Sequence, residues 1–435
     1  MFFIKKILLS IKAFLKWLLP DWIFERIYHA IFWPILGSLI YRAPSGKIKV
    51  IGVTGTNGKT TVVHLASRVL EGAGFKVASI SSLRFKIGGK EWKNKLKMTM
   101  PGRLKMQKFL RQAVNAKCDY VVLEVTSEGI RQNRHRYIKF HSVVFTNLTQ
   151  EHIESHGGFD NYKLAKSQLF RLPHKISIVN GDDNSAEYFL NFNAKEKIVY
   201  SVNEEYDDDD ETIIAQKIIV DSEGIKFEID DQRFELRLLG QFNVYNALCA
   251  ICVGLAENIK LKTIADILKV TNPIPGRMEK VIGEPFGVFV DYAHTPDALE
   301  KALKTISEFK TKKIILVTGA AGGGRDKWKR PEFAKIGQKY ADYIVITNED
   351  PYSENPETIL DEIASGFSEV TSSKLKILRI LDRRKAINKA LQLAKDGDVV
   401  LVAGKGAEPI MVTKEGPVEW DDRKVVREEF TKLYL

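Results

Sequence analysis

The sequence is poor in cysteine, and its few cysteines show no metal-binding pattern. Only three occur in 435 residues, which is too few for a disulfide scaffold and indicates a reducing compartment. Cys249 and Cys252 lie three residues apart in an apolar helical stretch. We therefore predict that they are core residues rather than a redox pair.

The first 50 residues also lack a hydrophobic run long enough to span a membrane. The longest uncharged stretch among them, residues 27–41, has 15 residues and contains Pro34 and Gly37, whereas a spanning helix needs about 20. No small-residue cleavage site follows a short apolar core, which argues against a signal peptide.

The first 46 residues nevertheless combine basic and bulky apolar side chains. Residues 1–50 hold eight Lys or Arg and two Asp or Glu, so much of the net charge of +11 lies there. We predict a short apolar helical leader over residues 1–46, with residues 1–42 lying in the membrane interface at the cytoplasmic face. A helical hairpin packed on the protein body and a transmembrane helix are the alternatives. Because the basic excess lies in an apolar leader, we predict no nucleic-acid binding.

Beyond the leader, apolar runs that end in polar residues alternate with helical patterns. The length predicts two or three domains, and such runs are typical of buried parallel strands in an α/β fold. Residues 47–272 are predicted to form a central nucleotide-binding domain, with an antiparallel meander at about 212–240. A linker containing Pro and Gly follows. Residues 273–435 are predicted to form a smaller doubly wound (Rossmann-like) domain.

The strongest motif lies between a predicted strand at 48–53 and a predicted helix at 61–72. A glycine-rich loop in this position lets backbone N–H groups approach phosphates, and the amino end of the helix adds positive potential. Its lysine can neutralise phosphate charge and the next threonine can reach Mg²⁺. Val53 stands where the usual loop has glycine. We predict ATP binding by Gly55, Thr56, Asn57, Gly58, Lys59, Thr60 and Thr61.

Further motifs follow this loop in a fixed order. They are Glu124-Val125-Thr126-Ser127, the segments 145–149, 161–166, 240–247, 275–279 and 291–296, and Gly404-Lys405-Gly406. With the loop, this order over residues 47–435 resembles the Mur ligase family, in particular its tripeptide-synthetase branch. The resemblance implies an ATP-dependent amide ligase with a P-loop central domain of mostly parallel sheet and a doubly wound C-terminal domain.

The resemblance also implies which residues carry the chemistry. The catalytic set would be Lys59, Glu124, His152 and Lys166. Mg²⁺, in two sites, would be held by Thr60, Glu124, His152 and Lys166, with Lys166 carbamylated into a carboxylate-like ligand. The alternatives are a buried strand-end acid for Glu124, a surface histidine for His152 and a helix-surface lysine for Lys166. Without the family, Lys163 is equally plausible.

Nucleotide contacts beyond the loop are implied in the same way. Asn243 would lie on the adenine side, Arg277 would reach the γ-phosphate, and Asp291 would reach the ribose. His294 would orient Asp291 or a phosphate. An interdomain salt bridge, a helix cap and a loop histidine are the respective alternatives for Arg277, Asp291 and His294.

The amino-acid side departs from the family pattern. The diaminopimelate-adding members have Asp-Asn-Pro-Arg where this chain has Glu349-Asp350-Pro351-Tyr352. The cationic fork for a distal carboxylate is missing, so a distal ammonium, as on lysine or ornithine, fits better. The family's His before Glu408 is replaced by alanine. The predicted amino-acid contacts are Arg325, Glu349, Asp350, Gly404 and Glu408.

The muramoyl-peptide side is predicted from the same resemblance. The family's usual His after Ser127 is Glu128 here. Family members also carry an amino-terminal UDP-binding domain, whereas the basic leader precedes the loop in this sequence, so we expect that domain to be replaced or absent. The predicted contacts are Thr99, Ser127, Gln132 and Arg134.

The sequence thus predicts an ATP-dependent ligase that adds an amino acid, expected to be a diamino acid, to a UDP-N-acetylmuramoyl-dipeptide-like carboxylate through an acyl phosphate. Its place would be the cytoplasm, with peripheral contact at the inner face of the membrane. The alternatives are the same chemistry on a lipid-linked or non-peptidoglycan acceptor, and a catalytically silent scaffold in a membrane-bound complex.

Overall fold

The structure is a computed structural model that describes Pro20 and residues 33–203, 211–368 and 375–434. Most of the predicted leader, on which the membrane-interface prediction depends, lies outside the described residues. Its last part is a helix, α1 (Trp33–Ile40), followed by a 3₁₀ turn at Pro44–Lys47. In the described part of the chain no helix has the length and apolarity needed to cross a bilayer.

Helix α1 packs on the body of the protein. At Gly37 an added Cβ would lie 3.1 Å from Leu104 Cδ2. Helix α1 therefore closely approaches the helix Arg103–Asn115, which contains Leu104. The Arg111 Nε donates to the Tyr41 carbonyl oxygen at 2.8 Å, just beyond the end of α1.

A nine-stranded sheet organises the chain up to residue 214. Its strands are β1 (Lys49–Thr54), β2 (Val77–Ile80), β3 (Arg84–Ile87), β4 (Lys90–Lys93), β5 (Tyr120–Glu124), β6 (Ser142–Phe145), β7 (Ile176–Asn180), β8 (Glu196–Ser201) and β9 (Glu211–Ile214). They lie in the order β4-β3-β2-β5-β1-β6-β7-β8-β9. From β2 to β9 neighbouring strands are parallel, while β3 and β4 extend the sheet as an antiparallel hairpin. Strand β1 lies between β5 and β6, so the loop that follows it emerges at the middle of the sheet.

Helices cover both faces of this sheet because its strands are apolar on both faces. The helices are α2 (Lys59–Gly72), α3 (Arg103–Asn115), α4 (Ser127–Arg131), α5 (Ile153–His156), α6 (Phe159–Ser167), α7 (Ala186–Leu190), α8 (Phe242–Ala256) and α9 (Leu261–Lys269). Two hydrophobic clusters result, one containing α2 and α8 and the other containing α3. Cys249 and Cys252 are fully buried in the first, as predicted for core residues.

An antiparallel meander lies within the predicted span, but it begins later than predicted. Strands β10 (Gln216–Asp221), β11 (Gly224–Ile229) and β12 (Gln232–Leu236) form an antiparallel three-stranded sheet. Strand β9 instead pairs in parallel with β8 as the edge of the large sheet. The alternating pattern did not distinguish the two because an edge strand is also half-exposed.

A second sheet of six strands follows the linker. Its strands are β13 (Glu279–Ile282), β14 (Gly287–Asp291), β15 (Ile314–Thr318), β16 (Tyr343–Ile346), β17 (Lys376–Arg379) and β18 (Val399–Ala403), in the order β13-β14-β18-β15-β16-β17. Only β13 is antiparallel to its neighbour. The helices are α10 (Pro296–Ser307), α11 (Lys329–Tyr340), α12 (Pro356–Ala364), α13 (Arg383–Leu393) and α14 (Asp422–Tyr434), and β19 (Ile410–Thr413) pairs with β20 (Gly416–Glu419).

Local sequence sets where these later helices begin. Thr295, Asn355 and Asp382 each accept a backbone N–H at the start of α10, α12 and α13, and proline follows the first two caps, where its fixed φ suits a first turn. Hydrophobic clusters lie on the two faces of the sheet. The carboxyl ends of its parallel strands therefore stay available for a site.

Candidate active site

One cavity of about 810 Å³ lies between the two large sheets. Gly55 and Gly404 of the predicted set do not line it; Gly404 instead donates its N–H to the Asp291 carbonyl oxygen at 3.1 Å. The other predicted residues all line it, and they are Thr56, Asn57, Gly58, Lys59, Thr60, Thr61, Thr99, Glu124, Ser127, Gln132, Arg134, His152, Lys166, Asn243, Arg277, Asp291, His294, Arg325, Glu349, Asp350 and Glu408.

The phosphate loop has the backbone that its glycines predict. Gly58 has φ 84°, and a Cβ there would collide with the side-chain oxygen of Asn246. Lys59 begins α2 and folds back, so its Nζ donates to the carbonyl oxygens of Thr56 at 2.7 Å and Gly55 at 3.1 Å. Burial lowers the pKa of Lys59, with Glu124 opposing that effect. A buried cation with only carbonyl partners is well placed to receive an anion.

Thr60 and Glu124 form the oxygen-rich centre of the cavity. Thr60 Oγ1 donates to Glu124 Oε2 at 2.9 Å and lies 2.8 Å from Ser82 Oγ. The same Glu124 oxygen accepts the Ser82 N–H at 2.9 Å. Arg277 reaches across from the linker, and its Nη2 donates to Thr60 Oγ1 at 3.2 Å. The Arg277 Nε is buried and makes no hydrogen bond within the described chain, so it has a free donor for a ligand.

Lys166 is buried beside the phosphate loop rather than on a helix surface. Its Nζ donates to the Gly55 carbonyl oxygen at 2.6 Å and lies 4.3 Å from the centre of the Tyr162 ring. Burial, followed by repulsion from Lys59, holds the pKa of Lys166 well below its ordinary value. Lys163, the competing lysine, is partly exposed and lies over the Tyr188 ring.

His152 and Glu151 complete this side of the cavity. Burial lowers the pKa of His152 to about 2, with Arg325 and Lys329 adding to the effect, so its imidazole is neutral. Glu151 accepts from Lys329 Nζ at 2.9 Å, and both side chains are buried. The second Glu151 oxygen has no hydrogen-bond partner among the residues described.

Hydrogen bonds hold the nucleotide-side residues, and one of these bonds joins the two halves of the cavity. Asn57 Nδ2 donates to Asp297 Oδ2 at 2.9 Å, which connects the phosphate loop to α10. Asn243 accepts from Asn246 at 2.8 Å. Asp291 accepts the Met278 N–H at 2.6 Å, and burial raises the pKa of Asp291 to about 6 against the effect of Arg277.

His294 is a buried loop histidine in this structure. Its Nδ1 lies 2.8 Å from the Tyr292 carbonyl oxygen, and burial lowers its pKa well below the ordinary value. Its own carbonyl oxygen accepts from Lys329 Nζ at 3.2 Å. Among the described residues, the hydrogen bonds of His294 do not include one to Asp291, so its orienting role stays a prediction.

On the opposite side, two lysines and two carboxylates form a compact group that we call the ammonium cluster. It consists of Lys97, Asp350, Lys405 and Glu408. Lys405 Nζ lies 2.8 Å from Asp350 Oδ2 and 2.6 Å from Glu408 Oε2. Lys97 Nζ makes the same two contacts at 2.8 and 2.6 Å. Although burial opposes it, the two lysines hold the pKa of Glu408 at about 2.

Two other predicted amino-acid contacts flank the ammonium cluster. Glu349 is 4% exposed, and its Oε2 has no hydrogen-bond partner in the described parts of the chain. Burial and the neighbouring Asp350 raise its pKa. Arg325 lines the cavity near Tyr292, Tyr352 and Glu408, whose charges raise its pKa against burial.

The predicted muramoyl-peptide contacts lie at the mouth formed by α4 and the segment before α3. His156 Nε2 lies 3.2 Å from Ser127 Oγ and 3.5 Å from Glu128 Oε1. An imidazole therefore stands beside Ser127, although residue 128 is not histidine. Arg134 Nη2 donates to Gln132 Oε1 at 2.5 Å, and its Nη1 donates to the Met100 carbonyl oxygen.

Sequence reasoning missed several residues that the fold brings to the cavity. Lys97, Glu151, Asp297 and Lys329 all line it. A sequence signal existed for Glu151, because it adjoins the predicted His152. A signal also existed for Lys405, because it lies in the motif Gly404-Lys405-Gly406. For Lys97 and Lys329 the sequence offered none, because a lysine in a loop or at a helix start is most often exposed.

Comparisons with known proteins agree with this geometry. Residues 53–254 match the Mur ligase middle domain and residues 276–406 the Mur ligase, glutamate ligase domain. A UDP-N-acetylmuramoyl-L-alanyl-D-glutamate--2,6-diaminopimelate ligase of Syntrophomonas wolfei is 39% identical over 403 residues, which cover 91% of this chain and 80% of that protein. A UDP-N-acetylmuramyl-tripeptide synthetase of Roseiflexus sp. is 35% identical over 423 residues, covering 92% and 81%.

A solved structure of a UDP-N-acetylmuramoyl-L-alanyl-D-glutamate--2,6-diaminopimelate ligase also matches, with TM-score 0.63 and 27% identity over 93% of this chain and 83% of that one. Fold and cavity together define an ATP-dependent ligase that forms amide bonds. The identity and coverage of these relatives settle the family as well. The chain belongs to the Mur ligase family.

Proposed function

We propose that this protein adds a diamino acid to the carboxylate of a UDP-N-acetylmuramoyl-dipeptide-like precursor during peptidoglycan synthesis. One observation carries the proposal: the phosphate loop and the ammonium cluster face the same cavity. A ligase needs ATP to activate a carboxylate and must hold an amine beside the activated carbon. The names of the relatives, which include ligases for diaminopimelate, support the substrate class.

The first step is the transfer of a phosphoryl group to the acceptor carboxylate. A carboxylate oxygen attacks the γ-phosphorus, an O–P bond forms, and the bond to ADP breaks. Lys59 and Arg277 would stabilise the charge on the phosphate oxygens, as preorganised cations do in phosphoryl transfer. The orphan Arg277 Nε is the free donor that such a role requires.

In the second step the amine attacks the carbonyl carbon of the acyl phosphate, a C–N bond forms, and phosphate leaves as the nitrogen loses a proton. Arg325 would hold the α-carboxylate, and Glu408 and Asp350 the ammonium groups. The unpartnered Glu349 Oε2 is a further acceptor for the substrate. Thr99, Ser127, Gln132 and Arg134 would hold the acceptor peptide.

The residues present fit Mg²⁺. Thr60 and Glu124 offer the hard oxygen donors that Mg²⁺ prefers, and neutral His152 offers a further donor. No three His, Cys, Asp or Glu side chains converge as a metal cluster within the described ranges, as expected for an ion that shares its ligands with phosphates and water. Bound there, Mg²⁺ would neutralise phosphate charge during the transfer. Two ions are proposed.

Carbamylation of Lys166 is proposed on the same grounds. Only a neutral amine attacks CO₂, and burial holds the pKa of Lys166 well below its ordinary value. The Nζ–C bond forms and one proton is released, so the neutral amine becomes an anion; starting from the protonated lysine, two protons are released in all. The change removes a like-charge repulsion and supplies a carboxylate-like ligand.

A cytoplasmic location with peripheral membrane contact through residues 1–42 is also proposed, from the basic and apolar sequence of the leader alone. A lipid-linked acceptor is the corresponding alternative substrate. If deletion of residues 1–42 leaves co-sedimentation with anionic vesicles unchanged, the membrane contact is wrong.

The decisive assay is phosphate release from ATP by the purified protein, scanned over UDP-N-acetylmuramoyl-dipeptide and candidate amino acids. We expect release only when acceptor, amino acid and Mg²⁺ are all present, with a tripeptide product visible by mass spectrometry. Release with a lipid-linked precursor but with no soluble acceptor would replace the proposed acceptor. Release that ignores the amino acid would contradict the ligase assignment for this cavity.

A further inference from the structure

One of the two lysines in the ammonium cluster comes from a different part of the chain than the other three members. Asp350, Lys405 and Glu408 all follow strands or loops of the six-stranded sheet, whereas Lys97 comes from the segment between β4 and α3 of the other sheet. Lys405 has no exposed surface. Lys97 retains 17% exposure, so it is the lysine that can leave.

Charge explains why a second cation is held there. Without Lys97, Asp350 and Glu408 would share Lys405 as ion-pair partner and keep only neutral donors besides it, the Val412 N–H and the Tyr292 hydroxyl. A carboxylate buried without full compensation of its charge is costly. Lys97 Nζ lies at hydrogen-bonding distance from one oxygen of each carboxylate. A primary ammonium group from a ligand has the same size, charge and donors as the group that now fills this position.

Lys97 is presented by a built turn. Asn94 is 5% exposed, and its Nδ2 donates to the carbonyl oxygens of Ser81 at 3.1 Å and Met98 at 3.0 Å. Lys97 itself has φ 50°, a left-handed conformation that costs a non-glycine residue energy. The turn therefore holds a residue in a strained backbone conformation, and its side chain reaches Asp350 and Glu408 across the cavity.

Resting on the proposed function, we propose that Lys97 is a tethered stand-in for an ammonium group of the incoming amino acid. Its Nζ occupies the position between Asp350 and Glu408 that the substrate ammonium takes, and the substrate displaces it. Before substrate binds, Lys97 keeps the carboxylates neutralised and joins the two sides of the cavity. It also excludes amino acids that have no second, side-chain ammonium group to exchange for it.

The opposite role for Lys97 predicts the opposite result. A lysine at this position could instead hold a distal carboxylate, replacing the Arg that is absent at Tyr352. Such a contact would strengthen binding of a dicarboxylic diamino acid, whereas a competing ammonium weakens the binding of every diamino acid. The sign of the change in Kd on removing Lys97 therefore separates the two roles.

The experiment measures binding of L-lysine, meso-diaminopimelate and L-norleucine by calorimetry, with Mg²⁺ and a non-hydrolysable ATP analogue present. The variants are Lys97→Met and, as matched control on the same loop, the exposed Lys95→Met. We expect Lys97→Met to bind both diamino acids with a roughly three- to tenfold lower Kd, because a tethered competitor has been removed. Norleucine should gain much less, and Lys95→Met should match the wild type.

A second readout guards against misfolding. The thermal midpoint of Lys97→Met without amino acid should fall, and the rise in midpoint on adding lysine should exceed that of the wild type. A higher or unchanged Kd for both diamino acids, in a variant that still binds the ATP analogue, overturns the stand-in role and leaves the proposed function intact. Nucleotide binding without any amino-acid binding, in wild type and variants alike, overturns both.

Discussion

The two sides of the cavity handle charge in opposite ways. On the phosphate side, Lys59 and Lys166 are buried against backbone carbonyl oxygens, and burial lowers the pKa of each. On the amine side, Lys97 and Lys405 are matched by Asp350 and Glu408. On the phosphate side, the two lysines have carbonyl oxygens as partners and can still receive phosphates. On the amine side, the charges of the cluster already balance, so one of its lysines must leave before a substrate cation can bind.

The two sides also differ in how the chain builds them. The phosphate-loop residues 55–61 form one continuous stretch that runs from the end of β1 into the first turn of α2. The ammonium cluster joins residues up to 311 positions apart in the sequence. A contiguous motif can be read from sequence, whereas a cluster of distant lysines and acids appears only when the sheets are placed together.

Removing Lys59 should give the largest effect. Lys59→Ala is expected to reduce ATP-dependent phosphate release roughly 100- to 1,000-fold, because a preorganised charge near the transferred group is lost. Steady-state kcat measures this, with the exposed Lys90→Ala as control. Full activity in Lys59→Ala would refute the phosphate-loop assignment.

Stability should separate the two sides next. Lys405→Met is expected to lower the free energy of unfolding by roughly 3 kcal/mol, since it removes one partner from a buried ion pair. Lys59→Met should stay within about 1 kcal/mol of the wild type or above it, because a cation whose burial is unfavourable is removed. Chemical denaturation measures both. Equal losses of unfolding free energy in the two variants would contradict the proposed difference in charge balance between the two sides.

Lys166→Ala should reduce kcat roughly 10- to 100-fold, the range for disturbed metal ligation. Lys163→Ala, three residues earlier on the same helix, should have little effect. Lys166→Glu should recover part of the activity, since it places a carboxylate near the proposed carbamate. If Lys166→Glu is no better than Lys166→Ala, the anionic role of this side chain is not supported.

On the amine side, Glu408→Gln should raise the KM for the amino acid about tenfold, the effect of losing one charge-assisted hydrogen bond. The KM for ATP should change little. The exposed Glu415→Gln is the control. A rise confined to the KM for ATP would place Glu408 with the nucleotide instead.

The pH dependence of stability should show the smallest effect, with opposite signs on the two sides. The Glu408 pKa of about 2 lies below its ordinary 4.5, so its contribution is present above pH 4.5 and is lost as the pH falls toward 2. The Asp291 pKa of about 6 lies above its ordinary 3.8, so its contribution is present below pH 3.8 and is lost as the pH rises through 6.

Thermal midpoints across pH 2–7 measure both contributions as differences from the wild type. Glu408→Gln should flatten the decline on the acid side, and Asp291→Asn should flatten the decline between pH 4 and 6. A steeper acid decline in Glu408→Gln would contradict the ion-pair origin of the low pKa.

Much of the fold followed from hydrophobic pattern. The strand predicted at 48–53 is β1, Lys49–Thr54, and the helix predicted to begin at Thr61 begins at Lys59. Strand β9 was assigned to the meander because its alternating pattern does not distinguish it from the meander strands. Only its parallel pairing with β8 shows that it belongs to the large sheet. The roles predicted for individual site residues stay predictions.

The sequence by itself determined the phosphate loop, because glycine spacing, a lysine and a following helix are local features with a local geometry. It also indicated which segments form buried strands, through their apolar runs. Only the tertiary structure decided that Lys97 reaches Asp350 and Glu408, and that Lys166 rather than Lys163 is buried beside Gly55. Those outcomes depend on which surfaces face each other across the cavity, because burial and charge pairing arise from packing that no single segment of the chain contains.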